Sequence, residues 1–324
     1  MATKRPNGKT AKRSGHPGGQ RKPVHHVRKA TARDWISAAR LATLPLSITP
    51  VVLGTAVAYS LSHEPDDAWW HWIRAAACLV VALALQIGVN FANDYSDGIR
   101  GTDAVRSGPR RLTASGAASP RSVLTVAIIF FAIAALVGLL VTWRSGHWWF
   151  LAVGAVCIAA AWFYTGGKRP YGYFAFGELA VFIFFGLVAT LGTEYALAGG
   201  VSSIGWIAAV ASGAFGSAAI LIANTRDIAT DRVSGKRTLS VLIGDRWSRI
   251  LYVVLLAVPY AALAFYGLFL YDNAIYAYFS LLIAVPAAII AILAKTPKEL
   301  VLVLKLTALS SLAYALLAGW AIAF

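Results

Sequence analysis

An all-helical, polytopic membrane protein is the fold class this sequence predicts, and three observations predict it. The chain of 324 residues is 58% hydrophobic and only 13% charged, with a mean hydropathy of +0.66, whereas a soluble globule is nearer half apolar and a quarter charged. Its apolar residues fall into runs close to the roughly 20 residues a membrane-crossing helix needs. Its net charge of +15 is confined to alternate connections between those runs, as the bias of Lys and Arg toward the cytoplasmic side requires. Disorder, a disulfide scaffold and a soluble nucleic-acid binder are excluded by the same numbers. Cys78 and Cys157 both lie in apolar runs without metal-ligand spacing and carry no further signal.

Residues 1–33 are rich in Lys, Arg, Gly and Pro and hold no apolar run, which predicts a disordered basic cytoplasmic tail drawn to anionic lipid headgroups. No aromatic residue or motif interleaves its charges, so nucleic acid is not an expected partner. The first apolar run is long enough to span and lacks a small-residue cleavage site, so a signal peptide is not expected. Residues 34–324 are the expected transmembrane domain, with nine spans at about 41–61, 73–93, 122–142, 148–164, 178–198, 203–223, 249–270, 274–294 and 303–323. Turn chemistry separates them: Glu64-Pro65-Asp66-Asp67, Ser145-Gly146-His147, Gly166-Gly167-Lys168-Arg169-Pro170, Gly199-Gly200 and Thr296-Pro297. Transmembrane strands, which alternate polar and apolar residues, are not suggested anywhere. With the N-terminus in the cytoplasm, 27 of the 29 Lys and Arg lie on the cytoplasmic side, and only Arg74 and Arg144 lie outside. Nine spans then place the C-terminus outside.

Polar residues break the apolar pattern at two matched places. The second span ends Asn90-Phe91-Ala92-Asn93-Asp94-Tyr95-Ser96-Asp97, and the sixth ends Asn224-Thr225-Arg226-Asp227-Ile228-Ala229-Thr230-Asp231. At about 100° per residue, Asn90, Asp94 and Asp97 fall within about 60° of one another on a helix, as do Asn224, Asp227 and Asp231. Each helix end thus carries a stripe of one carboxamide and two carboxylates. Such clusters repel unless a cation neutralises them, and magnesium, which combines one or two carboxylates with substrate phosphate oxygens, is suited to do so. Two facing stripes would hold a metal-bridged diphosphate. Arg226, Lys236 and Arg237 beside the second stripe, Lys168 and Arg169 in the 4–5 loop, and Arg106, Arg110 and Arg111 in the 2–3 loop supply cations for the remaining anionic charge. Positive-inside bias alone would also place cations there. The stripes occupy equivalent positions in spans 1–4 and 5–8, which suggests an ancient duplication with a ninth span added.

The pair Asn93-Asp94-x-x-Asp97 and Asp227-x-x-x-Asp231, on the second and sixth of nine helices, resembles the UbiA superfamily of intramembrane aromatic prenyltransferases over about residues 35–324. Finer features look like its MenA branch, the 1,4-dihydroxy-2-naphthoate polyprenyltransferases of menaquinone synthesis. These are Asn93-Asp94-Tyr95-Ser96-Asp97-Gly98-Ile99-Arg100-Gly101-Thr102-Asp103, Tyr164-Thr165-Gly166-Gly167, Gly177-Glu178-Leu179 with Phe184-Phe185-Gly186, and Arg226-Asp227-x-x-x-Asp231-x-x-x-Gly235-Lys236-Arg237-Thr238-Leu239. The resemblance implies a UbiA-type bundle in a bacterial plasma membrane, with cytoplasmic loops over the active site. It implies two or more Mg2+ ions on Asp94, Asp97, Asp227 and Asp231 that grip a polyprenyl diphosphate. Asn90, Asn93 and Asn224 would complete or orient that shell, and Asp103 would serve metal or acceptor. Lys236, Arg237 and Arg226 would stabilise the departing diphosphate. Tyr95, Trp162 and Tyr164 are candidates to shield an allyl cation, and also read as ordinary interfacial aromatics. Glu178 reads equally as a substrate contact or a helix-dipole partner; Glu194 and Lys305 read as snorkelling or locally paired groups. An acceptor other than the naphthoate (4-hydroxybenzoate, homogentisate, haem), and a transporter with the acids as an ion pathway, are the alternatives. The latter is disfavoured because the acids gather at one face, whereas transport sites lie near the midplane.

Overall fold

A computed structural model describes residues 28–61, 68–102 and 111–324 of the chain. Most of the basic tail, together with Asp103, Arg106 and Arg110, lies outside the described residues. Every regular element among them is helical. The order is α1 (Ala32–Ala38), a 3-10 turn at Leu41–Thr43, α2 (Pro45–Leu61), α3 (Ala68–Arg100), α4 (Pro120–Ser145) and α5 (Phe150–Phe163). Then come a short turn at Tyr171–Tyr173, α6 (Gly177–Val181), a π-helical stretch Phe182–Val188 and α7 (Ala189–Ala198), followed by α8 (Ser203–Val233) and α9 (Leu239–Phe269). A 3-10 stretch Asp272–Ser280, α10 (Leu281–Leu293) and α11 (Pro297–Ala323) complete the chain. Helix α1 begins at Ala32, inside the last residues expected to belong to the tail, behind an N-cap at Thr31.

Among the described residues, seven helices are long and apolar enough to cross a membrane, and an eighth span forms if the pair Ala32–Thr43 and Pro45–Leu61, bent by 47°, is counted as one. Within the first member of that pair, Arg40 has a left-handed φ of 57°, uncommon outside glycine, and separates α1 from the 3-10 turn. The remaining segment expected to span, 148–164, is α5. Its 14 residues rise only about 21 Å, short of the roughly 30 Å hydrocarbon core, so by length and apolarity seven or eight spans are counted among the described residues and the expected ninth is the short apolar helix α5. Helices α3 and α8 also run past their expected ends, to Arg100 and Val233, so both acid stripes are helical to their last carboxylate.

Helix α8 is the axis of the bundle. Its most apolar stretch is 72% buried, against 22–44% for the other spans. It can sit there because its inner faces are Ala, Gly and Ser, which let backbones approach closely. A Cβ on Gly186, in the π-helical stretch, would come within 2.6 Å of Gly213 Cα and 2.7 Å of the Ala209 carbonyl oxygen. A Cβ on Gly213 or Gly216 would meet Phe182 or Val181 at 2.7 or 2.8 Å. This contact fixes α8, and with it the second acid stripe, against α6. Gly186→Val should therefore cost about 1–3 kcal/mol or more by overpacking, seen as a lowered Tm in detergent, while Gly192→Ala, with open space around its Cβ position, leaves Tm unchanged.

At the opposite end, Glu194 does not snorkel. It is fully buried and accepts the backbone N–H of Ser202 at 2.7 Å, at the start of α8, where a carboxylate complements the helix dipole. Lys305 is exposed.

Candidate active site

The last turns of α3 and α8 meet the α5–α6 loop at one end of the bundle. Helix α8 ends at Val233, and Gly235, at φ +76°, turns the chain back so that the Lys236 N–H reaches the Asp231 carbonyl at 2.9 Å. Only a residue that tolerates left-handed φ closes such a terminus cheaply. The reversal aims Lys236 across the gap: its Nζ donates to Asp97 Oδ2 of the first stripe at 3.1 Å. Tyr173 completes the bridge. Its hydroxyl donates to Asp97 Oδ1 at 2.7 Å, its ring lies 4.7 Å from Lys236 Nζ, and its carbonyl accepts the Arg237 N–H at 2.9 Å. Burial, and then the Asp97 charge, push the Tyr173 phenol up to about 12, so it stays a neutral donor at ordinary pH.

Each remaining stripe residue has its own support. Asp94 is buried and accepts the backbone N–H groups of Leu112 and Thr113, both at 2.9 Å, which ties the return of the 2–3 loop to α3. Each carboxylate oxygen keeps a further lone pair beyond these bonds. Asn90 donates to the Ala39 carbonyl at 3.1 Å, and Asn93 accepts the Thr165 hydroxyl at 2.6 Å. Arg226 forms a buried bidentate pair with Asp227 at 2.6 and 2.7 Å. Asn224 donates to Glu178 at 2.9 Å, and Asp231 is buried. Arg100, from the end of α3, donates to the Thr165 and Gly167 carbonyls and so docks the 4–5 loop. Lys168, Arg169 and Arg237 are exposed.

Beneath this end runs an apolar cavity of about 550 Å³. Along α3 it is lined from Cys78 to Asn93, about 22 Å of helix. Asn90, Asn93, Tyr164, Tyr171 and Arg40 border its acid-bearing end, and Thr142, Phe150, Gly192 and Ala196 line its far end. Of the three expected shielding aromatics, only Tyr164 is among the lining residues. Tyr95 and Trp162 pack on each other, ring centroids 6.4 Å apart, against the core formed by α1, α3 and α4. Helix geometry explains the split: Trp162 is two residues, about 200°, from Tyr164 on α5, and Tyr95 is equally far from Asn93 on α3.

Sequence reasoning missed Tyr173 and Arg40 and left Glu178 undecided. Tyr173 lies in a loop with no periodicity, and nothing local distinguishes it from the neighbouring Tyr171. Arg40 counted only toward topology. Among the described residues, no three carboxylate, imidazole or thiol groups are placed to hold one metal ion by themselves. Paired hard oxygen donors at two helix ends nevertheless suit a divalent cation whose coordination is completed by substrate phosphates.

A long apolar slot in a helical membrane bundle, capped by buried acids and basic residues, is built for an amphiphile with an anionic head and a hydrocarbon tail. Known proteins agree with that class. Residues 50–301 match the UbiA prenyltransferase family. The chain is 47% identical to the 1,4-dihydroxy-2-naphthoate octaprenyltransferase of Mycobacterium tuberculosis, over 91% of this chain and 98% of that one. Its fold is similar to the apo structure of a UbiA homolog from Aeropyrum pernix (TM-score 0.63, 18% identity, 86% of this chain and 96% of that one). It is also similar to a UbiA homolog from Archaeoglobus fulgidus bound to GPP and Mg2+ (TM-score 0.56, 16% identity, 90% and 99%). The chain belongs to the UbiA prenyltransferase family, and is a multi-pass membrane protein.

Proposed function

We propose that this protein transfers a polyprenyl group from polyprenyl diphosphate to 1,4-dihydroxy-2-naphthoate, releasing diphosphate and carbon dioxide and leaving demethylmenaquinol in the bilayer. The acceptor assignment is supported by the extent of similarity to the M. tuberculosis naphthoate prenyltransferase. The chemistry is supported above all by one observation: the apolar cavity reaches, at Asn90 and Asn93, the end of the bundle where both acid stripes are buried. The site faces the cytoplasm of a bacterial cell, with the N-terminus on that side, the C-terminus outside and the basic tail on anionic lipid.

Asp94, Asp97, Asp227 and Asp231, with Asn90 and Asn224, would hold Mg2+, two ions or more. When bound, Mg2+ neutralises charge on the leaving diphosphate and so favours cleavage of the allylic C–O bond. Lys236 and Arg226 bring cationic charge to the buried stripes, while Arg237, Lys168 and Arg169 do so from exposed positions, where long side chains attract the incoming anion. Asn93, held by Thr165, offers a polar edge between diphosphate and cavity. Asp103 of the 2–3 loop remains a candidate for acceptor or metal. The apolar lining excludes water from the allyl cation and receives the isoprenoid tail, and the Tyr164 ring offers a π-face to the cation. Tyr95 and Trp162, packed behind that wall, would act by holding α3 and α5 in place. Ring attack forms the new C–C bond at the carboxylate-bearing carbon. Loss of carbon dioxide returns the electron pair to the ring, so no external oxidant or base is needed at that carbon.

Purified protein given polyprenyl diphosphate and Mg2+ should convert 1,4-dihydroxy-2-naphthoate, and not 4-hydroxybenzoate, to a prenylated product identified by mass. EDTA should abolish the reaction. Product from the benzoate alone would overturn the acceptor assignment, and EDTA-insensitive turnover would overturn the metal–diphosphate chemistry.

A further inference from the structure

Among the described residues, Glu178 is the one buried carboxylate at the acid-bearing end that the chemistry above does not use. It is 7% exposed. Its Oε1 accepts from Asn224 Nδ2 at 2.9 Å, while its Oε2 is buried without a hydrogen-bond partner among the described residues. The surrounding backbone is fastened without it, because the Ser217 hydroxyl donates to the Glu178 carbonyl at 2.9 Å and joins α6 to α8. Its neighbour has no side chain for a reason: a Cβ on Gly177 would lie 3.2 Å from the Tyr164 hydroxyl and 3.9 Å from Asn224 Nδ2. The first turn of α6 is thereby drawn close to two groups of the site. A buried, half-satisfied carboxyl is a costly way to pack a helix, and its single bond goes to a member of the second acid stripe.

Asn224 turns its NH2 group to Glu178 Oε1, so its carbonyl oxygen is left for another partner. Asn224 shares a helix face with Asp227, and a carboxamide serves a hard cation through its oxygen alone. We propose that Glu178 is a positioning residue that locks Asn224 in the orientation presenting Oδ1, rather than Nδ2, to the metal–diphosphate of the donor. This inference rests on the reading of the acid stripes given above. Glu178 itself touches neither donor nor acceptor.

The test is binding rather than turnover. Full-length protein in detergent is titrated with Mg2+ in the presence of a non-hydrolysable geranyl thiolodiphosphate, and bound probe is measured by calorimetry, with Tm recorded for each variant. Glu178→Leu should raise the Mg2+ concentration for half-saturation about 10- to 100-fold, the usual effect of losing a group that orients a metal ligand. Glu178→Gln, whose amide oxygen still accepts from Asn224, should stay within about threefold of the parent on the same scale. Glu178→Leu combined with Asn224→Leu should bind no worse than Asn224→Leu alone. Parent-like binding by Glu178→Leu, or additive losses in the double variant, would overturn the proposal, as would a Glu178→Gln defect equal to that of Glu178→Leu at unchanged Tm. Should Glu178→Leu fail to fold, Glu178→Ala, which likewise leaves Asn224 without its acceptor, takes its place in both comparisons. Asp227→Asn separates the two levels. If it abolishes Mg2+-dependent binding while Glu178→Leu does not, only the role of Glu178 falls; if the parent binds the probe without Mg2+, the donor site itself is misread.

Discussion

Turnover should fall about 100-fold or more in each of Asp94→Asn, Asp97→Asn, Asp227→Asn and Asp231→Asn, given that lesser changes around metal ligands already cost 10- to 100-fold. Asn preserves size and one carbonyl oxygen but removes the charge that neutralises a cation, so the loss reports charge rather than shape. The four variants should separate in stability. Asp94 accepts two backbone N–H groups, and an Asn there sets an NH2 group against one of them, which costs about 1–3 kcal/mol. Asp227→Asn removes the countercharge of a guanidinium that is 5% exposed and sets an NH2 group against one of its two donors, and breaking a buried ion pair costs about 3–5 kcal/mol. Asp97→Asn still accepts one of its two donors, Lys236 or Tyr173, and should lower Tm less than Asp227→Asn. Steady-state rates with naphthoate and polyprenyl diphosphate, measured beside Tm in detergent, check both orders. Full activity in any two of the four would remove the acids from the chemistry.

Those different costs show where the sequence is transparent and where it is not. The stripes themselves are legible because a helix converts spacing into direction: Asn90, Asp94 and Asp97 share a face whatever surrounds them. Lys236 is legible because it follows the second stripe within a few residues and a glycine turns the chain back. What holds these residues is not legible, since the partners come from distant segments. Asp94 is tied by Leu112 and Thr113, Asp97 by Tyr173, and Asn224 by Glu178, and no local periodicity connects them. The rule that found the stripes also assigns Trp162 and Tyr164 to opposite sides of α5, but which side faces the cavity is set by tertiary packing. Hydropathy likewise finds the apolar segment 148–164 without revealing that only 14 of its residues are helical. The π-helical stretch Phe182–Val188 is invisible for a related reason. Its register is imposed where Gly186 meets Gly213, and apolar residues on every face of a membrane helix erase the 3.6-residue signal that would betray a change of pitch.

Gly192→Phe should shorten the donor the enzyme accepts without disturbing its fold. Gly192 lines the far end of the cavity, beside Thr193 and Ala196, and a Cβ placed on it meets nothing within 4 Å. The new ring therefore enters space that the isoprenoid tail would occupy rather than space held by protein. Two or three isoprene units need only the part of the slot nearest Asn93 and Tyr164, whereas a long polyprenyl tail must pass the ring or leave between helices. Excluding even a few buried methylenes changes kcat/KM by about 10- to 200-fold, so the ratio of long-chain to geranyl donor efficiency should drop by at least about tenfold. The acceptor KM, set at the other end of the cavity, should not move. Competition between geranyl and long-chain diphosphates, with products separated by mass, reads that ratio directly. An unchanged ratio at unchanged Tm would mean that the tail does not use the slot, and the apolar cavity would then have to be reassigned to the acceptor side of the reaction.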